Sequence, residues 1–203
     1  MRALLLDLDR TLVDVQTYTD YTAAVSELES RFGELPGSPG TPDTYWRKST
    51  VVAMEALVAW SGSARWQEAS DLIETFEVAA VPASMPMPGL RRFLDATADR
   101  PRSVVTLMGG GGARAALATH GVGIPQLVPR LPELRPKPAP DQLHAAIRSL
   151  GVAHADAVMI GDSSWDHEAA VAAGIDFVGV GEADFGPDVP VASGLAGVLD
   201  LIT

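Results

Sequence analysis

The segment MRALLLDLDRTLVD (residues 1–14) decides how the rest of the chain is read. Four apolar residues, Ala3 to Leu6, run straight into Asp7, Leu8 and Asp9. A short continuous apolar run is the pattern of a strand buried on both faces of a parallel sheet. A strand that only needed to turn would be followed by Gly, Asn or Pro. Two carboxylates one residue apart repel each other unless positive charge sits between them. The remainder of the chain is therefore searched for that charge.

Beyond residue 14 the pattern becomes helical. Tyr18, Tyr21, Val25, Leu28 and Phe32 are spaced 3, 4, 3, 4, which places an aromatic and apolar stripe on one helix face, with Gly33 as its C-cap. GELPGSPGTPD (33–43) reads as a Pro/Gly loop. A second helix is predicted from about Thr44 to Trp60. A third runs from Ser63 to Ala80, with Trp66, Ile73, Phe76 and Ala80 on one face. VPASMPMPG (81–89) reads as a linker. After Gly89 helices and strands alternate. Helices are expected over 90–98, 110–120, 141–150, 165–173 and 195–202. Strands are expected over 103–107, 126–128, 157–160 and 177–180. This alternation predicts an α/β fold, a doubly wound, Rossmann-like parallel sheet. Residues 1–14 and 87–203 form its core, and 15–86 a helical cap inserted after the first strand.

Composition bounds the function. The 203 residues suit one domain with a sizeable insertion. A net charge of −11, with 26 acidic against 15 basic residues, gives no general attraction for nucleic acid or an anionic membrane. There is no cysteine, so disulfides, thiolate catalysis and zinc–thiolate sites are excluded. The first apolar run is too short for a signal-peptide core, and none approaches the ~20 residues of a membrane span. A cytoplasmic protein is the expectation.

In a doubly wound sheet, ligands bind beyond the carboxyl ends of the strands. Asp7, Asp9, Thr106 and Asp162 all lie at such ends, and so converge. Asp166 follows Asp162 by four, on the same face of a helical start. Lys137, in RPKPAP, is one of only two lysines in the chain. Several carboxylates meeting at one place call for a hard cation with oxygen ligands, usually Mg²⁺ where phosphate adds further ligands.

DLDRTLVD, VVT, RPKPAPDQL and IGDSSWDHEAAVAAG resemble, in order, the four motifs of the haloacid dehalogenase-like hydrolase superfamily. PMPGLRRFL resembles its return from cap to core, and the insertion site resembles the helical-cap, phosphoglycolate phosphatase-like subgroup. The resemblance implies a phosphatase acting on a small phosphorylated metabolite. Asp7 would be the nucleophile that becomes an aspartyl-phosphate. Asp9 would protonate the leaving oxygen and then activate water. Members that release halide lack an acid there. Thr106 and Lys137 would hold the phosphoryl oxygens. Mg²⁺ would be ligated by Asp7, Asp162 and the backbone carbonyl of Asp9, with Asp166 acting through water. Thr11 would brace the nucleophile loop.

Other residues keep two readings. Arg10, where the family commonly has Gly, either adds positive charge at the mouth or points to solvent. Arg47 and Lys48 are either substrate contacts from the cap or an exposed helix start. Lys48 also raises a phosphonate-cleaving route through a Schiff base. Gly109 opens GGGG (109–112), read as a flexible turn whose helix N-terminus sits near the phosphate. A dinucleotide loop on Gly110, Gly112 and Ala115 lacks its acidic ribose partner. Trp165 reads as packing or rim, and His167 as surface. A phosphomutase and a non-catalytic phosphate-ligand-binding protein are the alternatives, and monomer and homodimer are both open.

Overall fold

In the computed structural model, which describes residues 2–202, the opening run is the central strand β1 (Ala3–Leu6). The described elements continue with β2 (Val13–Asp14), α1 (Tyr21–Phe32), α2 (Lys48–Ala59), α3 (Ala64–Ala80) and β3 (Met85–Pro86). Then come α4 (Leu90–Ala96), β4 (Arg102–Val105), α5 (Gly110–Thr119), β5 (Gln126–Val128) and α6 (Asp141–Leu150). The chain closes with β6 (Ala157–Gly161), α7 (Ser164–Ala173), β7 (Asp176–Val180), β8 (Val191–Ala192) and α8 (Leu195–Leu201).

Six strands form one parallel sheet in the order β5-β4-β1-β6-β7-β8. Side chains alternate across it. Leu4, Leu6, Val104, Val158 and Ile160 pack on one face against α4, α5 and α8. Leu5, Val105, Met159 and Phe177 pack on the other against α6 and α7. The doubly wound α/β expectation therefore holds, and every residue of β1 is buried because both faces are covered.

Residues between β2 and β3 form a helical layer with its own apolar cluster. Leu28, Met54, Leu57, Trp66, Leu72 and Ile73 are among its buried members. Trp165 of α7 is fully buried in this same cluster, although α7 belongs to the sheet. Its ring lies 5.2 Å from that of Trp46, and its Nε1 donates to Pro42 O at 3.2 Å. Ser164 Oγ donates to Asp43 O at 2.5 Å. These bonds tie residues 42–43 to α7, and the second helix starts at Lys48, not near Thr44.

Several expectations are corrected. The 81–89 segment is a 3₁₀ turn followed by β3, and β3 pairs antiparallel with β2, joining the two ends of the insertion. β8 was not anticipated from the sequence. Tyr18 is 43% exposed and stands outside the apolar stripe that holds Tyr21. His167 is half-buried, its ring 5.1 Å from Phe177 and 5.8 Å from Phe185. No helix among the described residues is long and apolar enough to cross a membrane.

Candidate active site

Three residues take the first position past three neighbouring strands: Asp7 after β1, Thr106 after β4 and Asp162 after β6. The sheet ladder reaches two of them, because Asp7 N donates to Ile160 O at 2.9 Å and Thr106 N to Val128 O at 3.0 Å. Their side chains are thus placed by backbone geometry. Lys137 enters from the segment between β5 and α6. It is anchored by its backbone N–H on Gln142 Oε1 at 3.1 Å.

The Lys137 ammonium brings positive charge to the first of the two acids of the opening segment, Asp7. It donates to Asp7 Oδ1 at 2.7 Å, Asp166 Oδ1 at 2.5 Å and Val105 O at 3.1 Å. Burial opposes its charge, but Asp166 and Asp7 outweigh that and raise its pKa. Asp166 is held in turn by a capping box at the start of α7, in which Ser163 Oγ and the Asp166 carboxylate serve each other's backbone N–H groups. This packing demands Gly161. A Cβ there would lie 2.6 Å from Asp166 Cβ and Cγ.

Asp9 behaves differently. Its Oδ1 accepts from Val15 N and Gln16 N, each at 2.9 Å, so it faces the loop and not Lys137. Lys137 therefore separates Asp7 from Asp166, not Asp7 from Asp9. Burial pushes the Asp9 carboxyl up to about 7, against the pull of the Gln16 and Val15 amides. Asp162 is also pushed up to about 7, by burial and then by Asp166. Asp7 is raised well above the usual range, by burial and by Asp166 and Asp162, with Lys137 opposing.

Oxygens of Asp7, Asp162 and Asp166 lie within 4.8 Å of one another. Three carboxylates against the one ammonium of Lys137 leave two negative charges, which a divalent cation matches. Without a cation, burial drives Asp7 and Asp162 toward protonation. The donor set is all oxygen and fits a hard metal such as Mg²⁺. The Asp9 carboxylate is outside this triad.

Thr11 Oγ1 donates to Asp162 Oδ1 at 3.3 Å, tying the β1 loop to the β6 loop. Arg10 adopts a left-handed backbone (φ 61°) and its guanidinium lies 4.8 Å over the Tyr45 ring. The Tyr45 hydroxyl donates to Asp162. Thr106 Oγ1 accepts from Met108 N at 3.1 Å.

The structure distinguishes between readings left open for α5 and for the start of α2. Gly109 N donates to Glu77 Oε2 at 2.8 Å, and Gly111 N and Gly112 N both donate to Glu74 Oε1. The start of α5 is therefore capped by acids of α3, which occupy the N–H groups of Gly109, Gly111 and Gly112 that were expected near a phosphate. Arg47 and Lys48 are exposed at the start of α2 and line no part of the cavity above Asp7. The insertion contributes Gln16, Tyr21, Trp46, Thr50 and Met54 to that cavity instead.

Glu77 and Arg130 were also missed. They are almost wholly buried and form an ion pair at 2.8 Å between α3 and the core. The signal was present, because Glu77 falls on the α3 face of Ile73 and Ala80, where a charge needs a buried partner.

A family model for haloacid dehalogenase-like hydrolases matches residues 1–174. No curated protein matches the chain. Among solved structures, a hydrolase from Pseudomonas syringae is 20% identical, with a TM-score of 0.76 and 100% of both chains covered. A putative phosphoglycolate phosphatase from Lactobacillus plantarum is 20% identical, with a TM-score of 0.72 and 99% of each chain covered. L-2-haloacid dehalogenase from Xanthobacter autotrophicus is 17% identical, with a TM-score of 0.64, over 100% of this chain and 98% of its own. These likenesses establish a common fold.

Proposed function

The chain belongs to the haloacid dehalogenase-like hydrolases, and from that premise we propose that it is a Mg²⁺-dependent phosphomonoester hydrolase of small phosphorylated metabolites. The observation that carries this reading is Asp7 beside Lys137 and within reach of Asp162 and Asp166, with a second, protonatable acid two residues on. A binding protein has no need of that second acid.

Asp7 attacks phosphorus. One Asp7 oxygen bonds to phosphorus as the ester P–O bond breaks, giving an aspartyl-phosphate. Asp9 gives its proton to the departing alkoxide. A carboxyl group with a pKa of about 7 is half protonated at neutral pH, which suits a group that must give and then take a proton. In the second half, Asp9 removes a proton from water, water oxygen bonds to phosphorus, and Asp7 and inorganic phosphate are released. Lys137 and Thr106 supply positive charge and a hydroxyl beside the phosphoryl group, and Lys137 keeps Asp7 oriented. Asp7, Asp162 and Asp166 would hold Mg²⁺, which offsets phosphoryl charge when bound. Thr11 braces Asp162, and residues 15–86 serve as the cap. The Schiff-base alternative lacks support, since Lys48 lies outside the cavity.

The test is phosphate release from p-nitrophenyl phosphate and a panel of small esters, in Mg²⁺ and in EDTA, beside Asp7→Asn. Turnover that needs metal and falls by orders of magnitude in the variant is expected. Turnover unchanged by either treatment would overturn the assignment.

A further inference from the structure

Resting on that phosphoester reading, we propose that the leaving group this site accepts is a small uncharged alcohol, not a hydroxy acid or an amino alcohol. The argument begins with the walls. Around Asp7 and Asp9 the cavity is closed by Tyr21, Trp46, Thr50, Met54, Leu107 and Met108. None carries a charge. Away from the acids and Lys137, the polar groups of this wall are neutral: the Thr50 hydroxyl, the Gln16 amide, the Tyr21 hydroxyl, which donates to Glu77, and the Trp46 indole, whose Nε1 is buried with no acceptor. Such groups suit a hydroxyl or carbonyl oxygen.

The nearby cations are paired elsewhere or stand outside this cavity. Arg130 approaches this wall through Leu107 O but spends all five N–H groups on Glu77, Ser70 and Leu107. Lys137 spends its three on Asp7, Asp166 and Val105. Arg10 is stacked on Tyr45, in a separate depression that also reaches Asp162. Arg47 lines another depression, with Thr17 to Thr22. A carboxylate on the leaving group would be desolvated against apolar side chains and Asp9, with no cation to meet it, which is costly. An ammonium would find no carboxylate on the distal wall, since Glu77 is already paired with Arg130. The free volume of the whole cavity, phosphoryl site included, is about 30 Å³, so it must widen to take any ester, and a short leaving group asks least of it.

The experiment uses three esters of matched length: 2-hydroxyethyl phosphate, 2-phosphoglycolate and 2-aminoethyl phosphate. In Mg²⁺, kcat/KM for the hydroxyethyl ester should exceed that of both charged esters by at least about tenfold. Preference for either charged ester overturns the inference and leaves the hydrolase reading standing. No turnover of these esters or of p-nitrophenyl phosphate overturns both. Gln16→Arg places a cation on the wall at a half-buried position and keeps the backbone N–H that serves Asp9. It should raise 2-phosphoglycolate turnover relative to the hydroxyethyl ester by about tenfold or more. An unchanged ratio, in a variant still active on the neutral ester, would remove Gln16 from the wall and overturn the inference.

Discussion

Replacing Glu77 with Gln tests how the helical layer is fastened to the sheet. Glu77 is 1% exposed and Arg130 is 3% exposed. The carboxylate accepts from Arg130 Nη1 at 2.8 Å, Arg130 Nη2 at 3.2 Å, Gly109 N at 2.8 Å and Tyr21 Oη at 3.4 Å. Gln has one acceptor oxygen where Glu has two, and no charge. At least one of these donors is then left unpaired, and Arg130 becomes a buried cation without a counter-ion. Breaking a buried pair from one side costs about 3–5 kcal/mol, against ~0–1 kcal/mol for an exposed pair. At roughly 2–4 °C per kcal/mol for a chain of this size, the melting temperature should fall by about 6–20 °C. Thermal and denaturant unfolding would read the loss. The double variant Glu77→Leu/Arg130→Met removes both charges and should recover much of it, because the penalty belongs to the stranded cation. A loss below about 1 kcal/mol in Glu77→Gln, or no recovery in the double variant, would refute the latch.

Two further outcomes follow from the site. Gly161→Ala should push Asp166 off Lys137, lowering metal-dependent activity by at least about tenfold; full activity, with metal affinity unchanged in a titration, would mean that Asp166 yields without consequence. The second concerns pH. Asp9 and Asp162 titrate near 7 in the metal-free fold but near 3.8 when unfolded. Between those values the folded state holds more protons, so metal-free stability should fall as pH rises from about 4 to 7 and then level off. Mg²⁺ favours the ionised carboxylates, so its stabilising increment should grow across the same window. Melting curves in EDTA and in Mg²⁺ would read both effects, and a metal-free melting temperature that climbs through that window contradicts the reading.

The parts of the fold legible in the sequence are those with long apolar runs or helical periodicity. Ala3–Leu6 and Ala157–Gly161 sit in the middle of the sheet, and their uniform burial writes itself as uninterrupted apolar sequence. β2, β3 and β8 have two residues each, too few to show any period. The converging Asp7, Thr106 and Asp162 followed from strand ends, because the topology alone brings those ends together. The cavity wall did not follow. Trp46 reaches it because residues 42–43 are tied to α7, a contact spanning over a hundred positions that no local pattern records. Arg47, next to Trp46, points elsewhere, and one residue of rotation at a helix start decides between them.

Trp165 sits between Asp162 and Asp166 in sequence, yet its indole belongs to the apolar interior of the helices on the other side of the site. The acids and the layer above them are therefore not interchangeable parts. A chimera that grafts a foreign helical layer onto this sheet must supply a socket for that indole. Otherwise it exposes a large apolar side chain one residue before Asp166, and α7 loses the support that holds this acid against Lys137. Swapping layers to change selectivity, with this chain as host, thus begins with the residue at 165.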